Sequence, residues 1–365
     1  MALEYHERES HAVAKIKEAI PSWLLKDKVG LSGMFADLHQ NDSVFPKHYL
    51  ASTTDSVGTK LIIAQALEKY DTVGIDLVAL NVNDMATLGK VSPFLFINTM
   101  SCQEQIESKG ITGELMKGIV KGLEQSDCTD ILKQDIRLNM GKGETASVDE
   151  LLGGIKSGHG FDLAASMVGF IRKEDMPRTE GDTLIALSSP GMQSNAFTEL
   201  RHRLLKGDFE SRDEFKKHYH GRFSLDDDHE GSTIGESLLI PSKIYMKSMA
   251  AIAKEFPVYG FNNTGYGLKN LNRLKKRFTI TNFLKPHPLY DLVQKEAGFS
   301  DEVMYMKFNM GQGFFLMCNK ADADPILSIA EKHGDSGAVI GTVEDGEGEV
   351  FVDAKGKKFV LRGYG

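Results

Sequence analysis

Cysteine is scarce in this chain: its 365 residues include three cysteines, Cys102, Cys128 and Cys318, and no CxxC pair. This scarcity excludes a disulfide framework and a cysteine zinc site, and a reducing, cytoplasmic setting is the simpler interpretation. Long apolar runs are absent too, since none reaches the roughly 18 residues that span a bilayer. The first residues, MALEYHERESH, are charged, so we do not expect a secretory signal.

An excess of positive charge is also absent. The chain has 43 Lys and Arg against 51 Asp and Glu, a net charge of −8. This balance argues against a nucleic-acid or membrane partner, and an anionic ligand would need a local device such as a helix start, a lysine or a metal ion. The composition, 41% hydrophobic and 26% charged, is that of a globular protein, and the length predicts two domains.

The spacing of apolar residues predicts a mixed α/β (α+β) fold. Leu50–Thr54 and Phe94–Asn98 have strand character, whereas Val73–Leu88 repeats apolar residues at helical spacing. The stretch AVAKIKEAIPSWLL predicts a helical lead-in. A charged segment at residues 170–182 reads as a connection between domains. The predicted division is therefore an N-terminal domain of residues 1–172 and a C-terminal domain of residues 173–365.

The second half begins with a strand candidate, Thr183–Ser188, followed by a helix that contains Phe197 and Leu204. Residues 206–232 are so polar that we expect a surface insertion, and their histidines lack the spacing of a helical zinc motif. Four more strands are predicted near the C-terminus, at Phe314–Cys318, Ala338–Val343, Glu349–Asp353 and Lys358–Leu361.

The clearest candidate site is the segment Asp55-Ser56-Val57-Gly58-Thr59-Lys60 before a predicted helix. Such a loop offers backbone N–H groups, a helix start and a lysine to phosphates. The carboxylate of Asp55 would hold a metal ion. The order of residues is not that of a Walker A loop. A capped helix start with an exposed lysine explains the same pattern.

Polar residues also follow one face of the next predicted helix. Asp76 and Asn83 are two turns apart on that face, roughly 10 Å along the axis, and Asp84 lies at its edge. Carboxylate and amide oxygens suit Mg²⁺, which takes a few hard ligands and keeps its other waters. A solvated polar face is the alternative.

A third motif, Gly141-Lys142-Gly143-Glu144-Thr145-Ala146, fits the loose dinucleotide pattern GxGxxA. A carboxylate inside such a loop would repel a pyrophosphate unless a cation intervened. Glu144 as a metal ligand is therefore the better functional interpretation, and a plain turn is the alternative.

Several turns in the second half allow close backbone approach. Ser194 or Asn195 is a natural N-cap for the helix that follows, and the free N–H groups there form a possible phosphate seat. The glycine-rich turns at residues 262–267 and 308–313 name no chemistry by themselves.

The order of these motifs resembles one family. Between about residues 50 and 345 the chain carries TTDSVGTK, YDTVGIDLVALNVND, GETA, QSN, GESLLIPSKIYMKS, NNTGYG and FNMGQG. This series is similar to that of the aminoimidazole ribonucleotide synthetases, also called phosphoribosylformylglycinamidine cyclo-ligases. The resemblance implies the two-domain PurM-like fold, with an N-terminal mixed sheet and helices that form a dimer interface and a C-terminal α/β domain. It also implies a homodimer that binds ATP and Mg²⁺.

The reaction implied by the resemblance is ATP-dependent ring closure of formylglycinamidine ribonucleotide to aminoimidazole ribonucleotide in purine biosynthesis, a ligase activity. Phosphorylation turns the amide oxygen into a good leaving group, and the tethered amidine nitrogen then attacks. The residues that match the family's motifs are Asp55, Gly58, Thr59, Lys60, Asp76, Asn83 and Thr145 for the nucleotide, Lys60, Asp84 and Glu144 for catalysis, Asp55, Asp84 and Glu144 for the metal, and Ser194, Asn195, Thr264, Gly265 and Asn309 for the substrate.

The chain departs from the family pattern on the substrate side. Gln193 and Asn262 stand where the family usually has histidines, and Tyr266 stands where it has a glycine. Amides form hydrogen bonds but do not carry a proton near neutrality as histidine does. A second hypothesis is therefore a member that uses ATP to phosphorylate a different amide, carbamoyl or phosphate substrate. A nucleotide-binding dimer without catalysis is the third.

Overall fold

The computed structural model describes residues 15–16, 18–30, 33–354 and 356–363 of the chain, so the predicted helical lead-in at residues 12–25 lies partly outside the described residues. Sixteen strands are present in this part of the chain. They are β1 (Lys28–Val29), β2 (Asp37–His39), β3 (His48–Ser56), β4 (Ser92–Cys102), β5 (Asn139–Met140), β6 (Glu144–Ser147), β7 (Phe161–Arg172), β8 (Thr183–Ser188), β9 (Asp228–His229), β10 (Ser232–Thr233), β11 (Tyr259–Asn262), β12 (Lys276–Ile280), β13 (Gln312–Cys318), β14 (Gly337–Asp345), β15 (Glu349–Ala354) and β16 (Lys357–Arg362).

Twelve α-helices surround these strands within the same described residues. They are α1 (Leu61–Leu67), α2 (Asp71–Ala86), α3 (Gln105–Ser108), α4 (Ile111–Ser126), α5 (Thr129–Leu132), α6 (Phe197–Leu204), α7 (Asp213–Lys216), α8 (Ile234–Leu239), α9 (Met246–Glu255), α10 (Leu289–Ala297), α11 (Asp301–Lys307) and α12 (Ala323–Lys332). Short 3-10 turns lie at Ser22–Leu25, Gly58–Lys60, Lys173–Asp175, Gly267–Arg273 and Lys320–Asp322. No helix in the described ranges is long and apolar enough to cross a membrane.

Two seven-stranded sheets form the framework, one on each side of residues 173–182 in the chain. The first has the order β1-β2-β3-β7-β4-β5, with β6 also paired to β4, and the second has the order β11-β13-β8-β14-β12-β15-β16. Both are mixed, because β4 pairs in parallel with β5 and β6, and β12 pairs in parallel with β15. The predicted mixed α/β class is therefore confirmed.

The first sheet carries helices α2 and α4 on one face. These two helices cross so closely that a side chain on Gly74 or Gly118 would collide with the backbone of the facing helix. Almost every residue of α2 is buried. The strand predicted at Leu50–Thr54 extends to Ser56, so Asp55 lies at the end of a strand and not in a loop, which corrects the sequence-based expectation.

The second half follows the predicted pattern at β8, α6 and the four C-terminal strands. The predicted N-cap is wrong, because α6 begins after Ala196, whose φ of 57° is left-handed, with no capping bond from a side chain. The predicted surface insertion at residues 206–232 is also wrong in part. Tyr219 and Leu225 are buried in the main hydrophobic core, so this segment packs on the molecule.

Helix α2 joins the two halves through polar contacts. Lys60 and Asp76 are both fully buried, with the ammonium 2.8 Å from Oδ2 of Asp76. The backbone N–H and the hydroxyl of Ser242 donate to Oδ1 of Asp76 at 2.7 and 2.6 Å. Two turns later, Asn83 donates to the carbonyl of Lys243 and accepts from the N–H of Tyr245. The predicted shared face of Asp76 and Asn83 is real, but it contacts protein and not solvent.

Removal of either charge of the Lys60–Asp76 pair should destabilise the fold. We expect Lys60→Met and Asp76→Asn each to lower the free energy of unfolding by about 3–5 kcal/mol, because the remaining group stays buried without its partner. The double variant should lose less than the sum of the two. Denaturant unfolding measures these changes. Lys156→Gln, which breaks an exposed pair with Glu68, is the control and should cost about 0–1 kcal/mol. Single variants as stable as the control would refute this role for the pair.

Candidate active site

Two carboxylates meet where the first sheet, helix α2 and the second half adjoin. Asp55 lies near the end of β3, and Asp84 lies in the last turn of α2. Asn262, the last residue of β11, donates from Nδ2 to Oδ1 of Asp84 at 2.8 Å. The backbone N–H of Ser56 donates to Oδ1 of Asp55 at 2.7 Å. Strand and helix ends from both halves therefore position this pair.

The surroundings of both carboxylates penalise negative charge. Burial raises the pKa of Asp55, against the hydrogen bond from Ser56. Burial also raises the pKa of Asp84 to about 7; the charge of Asp55 adds to this rise, whereas the bond from Asn262 and the charge of Arg273 oppose it. Two desolvated carboxylates, one of which disfavours the charge of the other, form a site that a cation would stabilise.

Lys60 is not placed to bind a phosphate, which corrects the expectation from the sequence. Besides Asp76, its ammonium donates to the carbonyls of Gln193 at 3.0 Å and Ile240 at 2.7 Å, so its three N–H groups all have protein partners. Burial lowers the pKa of Lys60, and the ion pair with Asp76 opposes this change. Asp76 and Asn83 are likewise engaged in contacts between the two halves. Lys60, Asp76 and Asn83 therefore hold together the elements that carry the site.

Glu144 does not join Asp55 and Asp84. It is aligned with Thr99 of β4, an exposed position, whereas Asp55 is aligned with the buried Ala165 of β7. Because side chains alternate along a strand, Glu144 and Asp55 point to opposite faces of the sheet. Glu144 pairs instead with Lys142 at 3.0 Å. Across the described part of the chain, no group of three or more potential metal-ligating residues forms, so the predicted three-carboxylate site is corrected to a pair.

A groove of about 510 Å³ opens on the same face of the sheet as Asp55. Asn98 of β4 lies in one cross-strand row with Ala165 and Asp55. Its side chain is 4% exposed, and its Oδ1 has no hydrogen-bond partner among the described residues. Apolar side chains from α4 and the segment around β5 complete the lining, namely Met116, Val120, Leu123, Leu138 and Met140. Thr145, in β6, is exposed just beyond Gly143 at the edge of this groove.

The segment from Asp55 to Lys60 and the turn before α6 lie close together. A side chain on Gly58, with φ +70°, would contact nothing within 4 Å, so the backbone there faces open space. The hydroxyl of Thr59 lies 2.9 Å from that of Thr198 in α6. Ser194 contacts the hydroxyl of Ser242 at 3.2 Å, which links this turn to the Lys60–Asp76 pair.

Three of the remaining predicted substrate residues, Asn195, Thr264 and Gly265, lie close to one another. Gly265 faces Asn195, whose Oδ1 would be 3.8 Å from a side chain on that glycine. Thr264 lies two residues beyond Asn262 and contacts Asn270 at 3.3 Å. Asn309 differs, since it is buried and its amide bonds to the carbonyl of Gly191 and the N–H of Gly311, which makes it part of the turn and corrects its predicted contact with substrate.

Sequence reasoning missed three residues of the site. The sequence marks Asn262 only as a departure from the family, because its contact with Asp84 spans 178 residues of sequence. Arg273 carries a charge that lowers the pKa of Asp84 and stacks 4.0 Å from the ring of Phe35. Asn98 lies within the apolar strand β4. A single amide among apolar residues is the one feature of the sequence that could have indicated it.

Family models match most of the chain. Residues 39–171 match the N-terminal domain of AIR synthase related proteins, and residues 179–353 match the C-terminal domain of the same family. The phosphoribosylformylglycinamidine cyclo-ligase of Methanococcoides burtonii is 34% identical over 305 residues, which cover 82% of this chain and 81% of that protein.

Solved structures show the same fold. The thiamine-monophosphate kinase of Stenotrophomonas maltophilia is 16% identical with a TM-score of 0.54, over 89% of this chain and 90% of that one. The T. maritima PurL structure in complex with ATP is 11% identical with a TM-score of 0.51, over 91% of this chain; the match spans 45% of the PurL chain. On the family models and the 34% identity, this chain belongs to the AIR synthase related protein family.

Proposed function

We propose that this protein catalyses ATP-dependent closure of formylglycinamidine ribonucleotide to aminoimidazole ribonucleotide. The observation that carries the proposal is the pair of carboxylates, Asp55 and Asp84, beside the turns that contain Asn195 and Gly265. The M. burtonii relative, which matches over four fifths of both chains, is named for this activity.

The donor set of Asp55 and Asp84 fits a small, hard cation such as Mg²⁺. Carboxylate oxygens are its preferred protein ligands, and it binds through one or two of them while phosphates and waters complete its shell. When bound, the ion would neutralise charge on the phosphoryl group that is transferred. The raised pKa of both carboxyls means that their charged forms are disfavoured without a cation, and a bound ion would relieve this.

The groove beside Asn98 is our proposed seat for the base of ATP. The apolar walls suit a flat purine, and the amide of Asn98, which lines the groove, suits the polar edge of that base. Asn98 and Asp55 are two strands apart in one row, roughly 10 Å at 4.8 Å per strand, and a ribose with its phosphates spans that distance. Thr145 at the groove's edge would then lie beside the ribose, whereas Glu144 points to the other face of the sheet.

The reaction needs positioning more than a protein nucleophile. The γ-phosphoryl group passes from ATP to the formyl amide oxygen, the amidine nitrogen attacks the same carbon, and the C–O bond breaks as phosphate leaves with ADP already formed. In our proposal the open backbone at Gly58 approaches the phosphates. Asn195, Thr264 and Gly265 orient the substrate so that the amidine lies close to the activated carbon.

A second copy of the chain is our proposed partner, on the face of the first sheet opposite α2 and α4. Aligned residues on that face of β3, β7 and β4 are apolar and only partly buried: Leu50, Val168, Phe170 and Leu95, with Ile97 37% exposed. An apolar sheet face of this kind marks an interaction site.

The alternative substrate stays open for one structural reason. Asn262 contacts the carboxylate of Asp84, and an amide in this place hydrogen-bonds without carrying a proton. A different amide, carbamoyl or phosphate acceptor would then replace the formyl amide, with the same use of ATP.

The direct test is incubation of the purified protein with ATP, Mg²⁺ and formylglycinamidine ribonucleotide. We expect aminoimidazole ribonucleotide and ADP to form in equal amounts, measured by chromatography. Asp84→Asn is the matched inactive variant. ADP that forms with other acceptors but not with this substrate would favour the alternative function.

Filling of the groove should weaken ATP binding. We expect Val120→Trp, which places a ring in the groove, to raise the KM for ATP by about tenfold or more and to leave kcat within about threefold. Lys121→Trp, at the next and outward-facing position of α4, is the control and should change neither constant. Equal constants for the two variants would argue against this seat for the base.

The stability of the protein should depend on Asp84 and on pH. Its folded pKa of about 7 lies above the ordinary value of 3.8, so the folded state binds the proton more tightly and loses stability as pH rises from about 4 through 7. Asp84→Asn removes this loss. The variant should therefore melt higher than the wild type at pH 8, by roughly 2 °C or more, and show a smaller gain at pH 5. Thermal melts without added metal measure both values, and equal gains at the two pH values would contradict the assignment.

A further inference from the structure

Each carboxylate of the pair has one oxygen occupied by a fixed donor. Oδ1 of Asp84 accepts from the Asn262 amide at 2.8 Å, and Oδ1 of Asp55 accepts from the N–H of Ser56 at 2.7 Å. The donor at Asp55 is the next backbone N–H and cannot be removed by substitution short of proline. The donor at Asp84 is a side chain from the other half of the molecule.

The amide of Asn262 is held rigidly. The residue is 3% exposed and ends β11, where it pairs with Phe314 of β13. Its own carbonyl accepts from the N–H of Thr264 at 3.2 Å. Strand pairing and the following turn therefore fix the backbone from which the amide of Asn262 reaches Asp84.

An oxygen that accepts such a bond gives up a lone pair and part of its charge. A carboxylate constrained in this way offers its second oxygen and binds a cation through one atom. Mg²⁺ accepts this arrangement, because it takes six ligands in a small octahedron and keeps several waters. Ca²⁺ takes six to eight oxygens and gains from carboxylates that bind through both atoms.

We propose that Asn262 is a specificity-determining residue for the cation, which keeps Asp84 a one-oxygen ligand and so favours Mg²⁺ over Ca²⁺. It acts through Asp84 and is in that sense a positioning residue. The inference rests on the carboxylate pair of the proposed function, and it adds the reason why a contact from the second half reaches that pair.

Competition binding tests this role without any turnover. Mn²⁺ bound to the full-length protein is followed by electron paramagnetic resonance and displaced by Mg²⁺ or by Ca²⁺ alone. Asn262→Leu has a similar volume and no donor. We expect its Ca²⁺-to-Mg²⁺ affinity ratio to rise about tenfold over wild type, as befits loss of one hydrogen bond to a charged group. Asn262→Ala, the back-up should the leucine variant fail to fold, should shift the ratio in the same direction.

Asn282→Ala is the matched control, since Asn282 donates to the carbonyl of Val339 on an exposed strand end and should leave the ratio unchanged. Failure of the wild type to bind Mn²⁺, both alone and with a non-hydrolysable ATP analogue, would refute the carboxylate pair as a cation site and with it the role of Asn262, whereas the proposed activity is tested separately by the incubation with formylglycinamidine ribonucleotide. Wild-type binding with an unchanged ratio in a folded Asn262 variant would overturn the role of Asn262 and leave the proposed function standing.

Discussion

The buried ion pair between Lys60 and Asp76 ties the two halves of this protein into one body. Lys60 comes from the first half and donates to the carbonyls of Gln193 and Ile240, and Asp76 accepts from Ser242. A charge withdrawn from water needs several well-placed partners, and this pair has them from both halves. Any large shift of one half against the other would leave those charges buried and unmatched. The relative position of the two sheets is therefore constrained at this point.

The Lys60–Asp76 pair also sets the geometry of the candidate active site. Helix α2 carries Asp76 near its middle and Asp84 in its last turn, so the helix that is fixed by the ion pair also presents the carboxylate. Asn262 reaches this carboxylate only because β11 is held at the correct distance. Packing of α2 against α4 through Gly74 and Gly118 fixes the helix from its other side. A rigid support of this kind suits a reaction that depends on positioning.

Sequence motifs located the right neighbourhoods but assigned some side chains wrongly. The motifs predicted Lys60 at the phosphates and Glu144 at the metal ion. Lys60 is instead enclosed by carbonyls, and Glu144 lies on the opposite face of the sheet from Asp55. A motif read along the chain does not reveal strand register, and a shift of one residue in register turns a side chain to the other face. It also does not reveal which lysines are buried, since that depends on elements far away in sequence.

The sequence alone determined several of the elements and the family. Local periodicity predicted β8, α2, α6 and the C-terminal strands, because alternation and helical spacing are properties of neighbouring residues. The ordered motifs also indicated the family, because their order is a property of the chain itself. Tertiary structure decided what the polar residues of those motifs do. Asp55, Asp84 and Asn262 are brought together from three distant segments, and tertiary contacts, not spacing, distinguish these carboxylates of the candidate site from Asp76, which holds the two halves together.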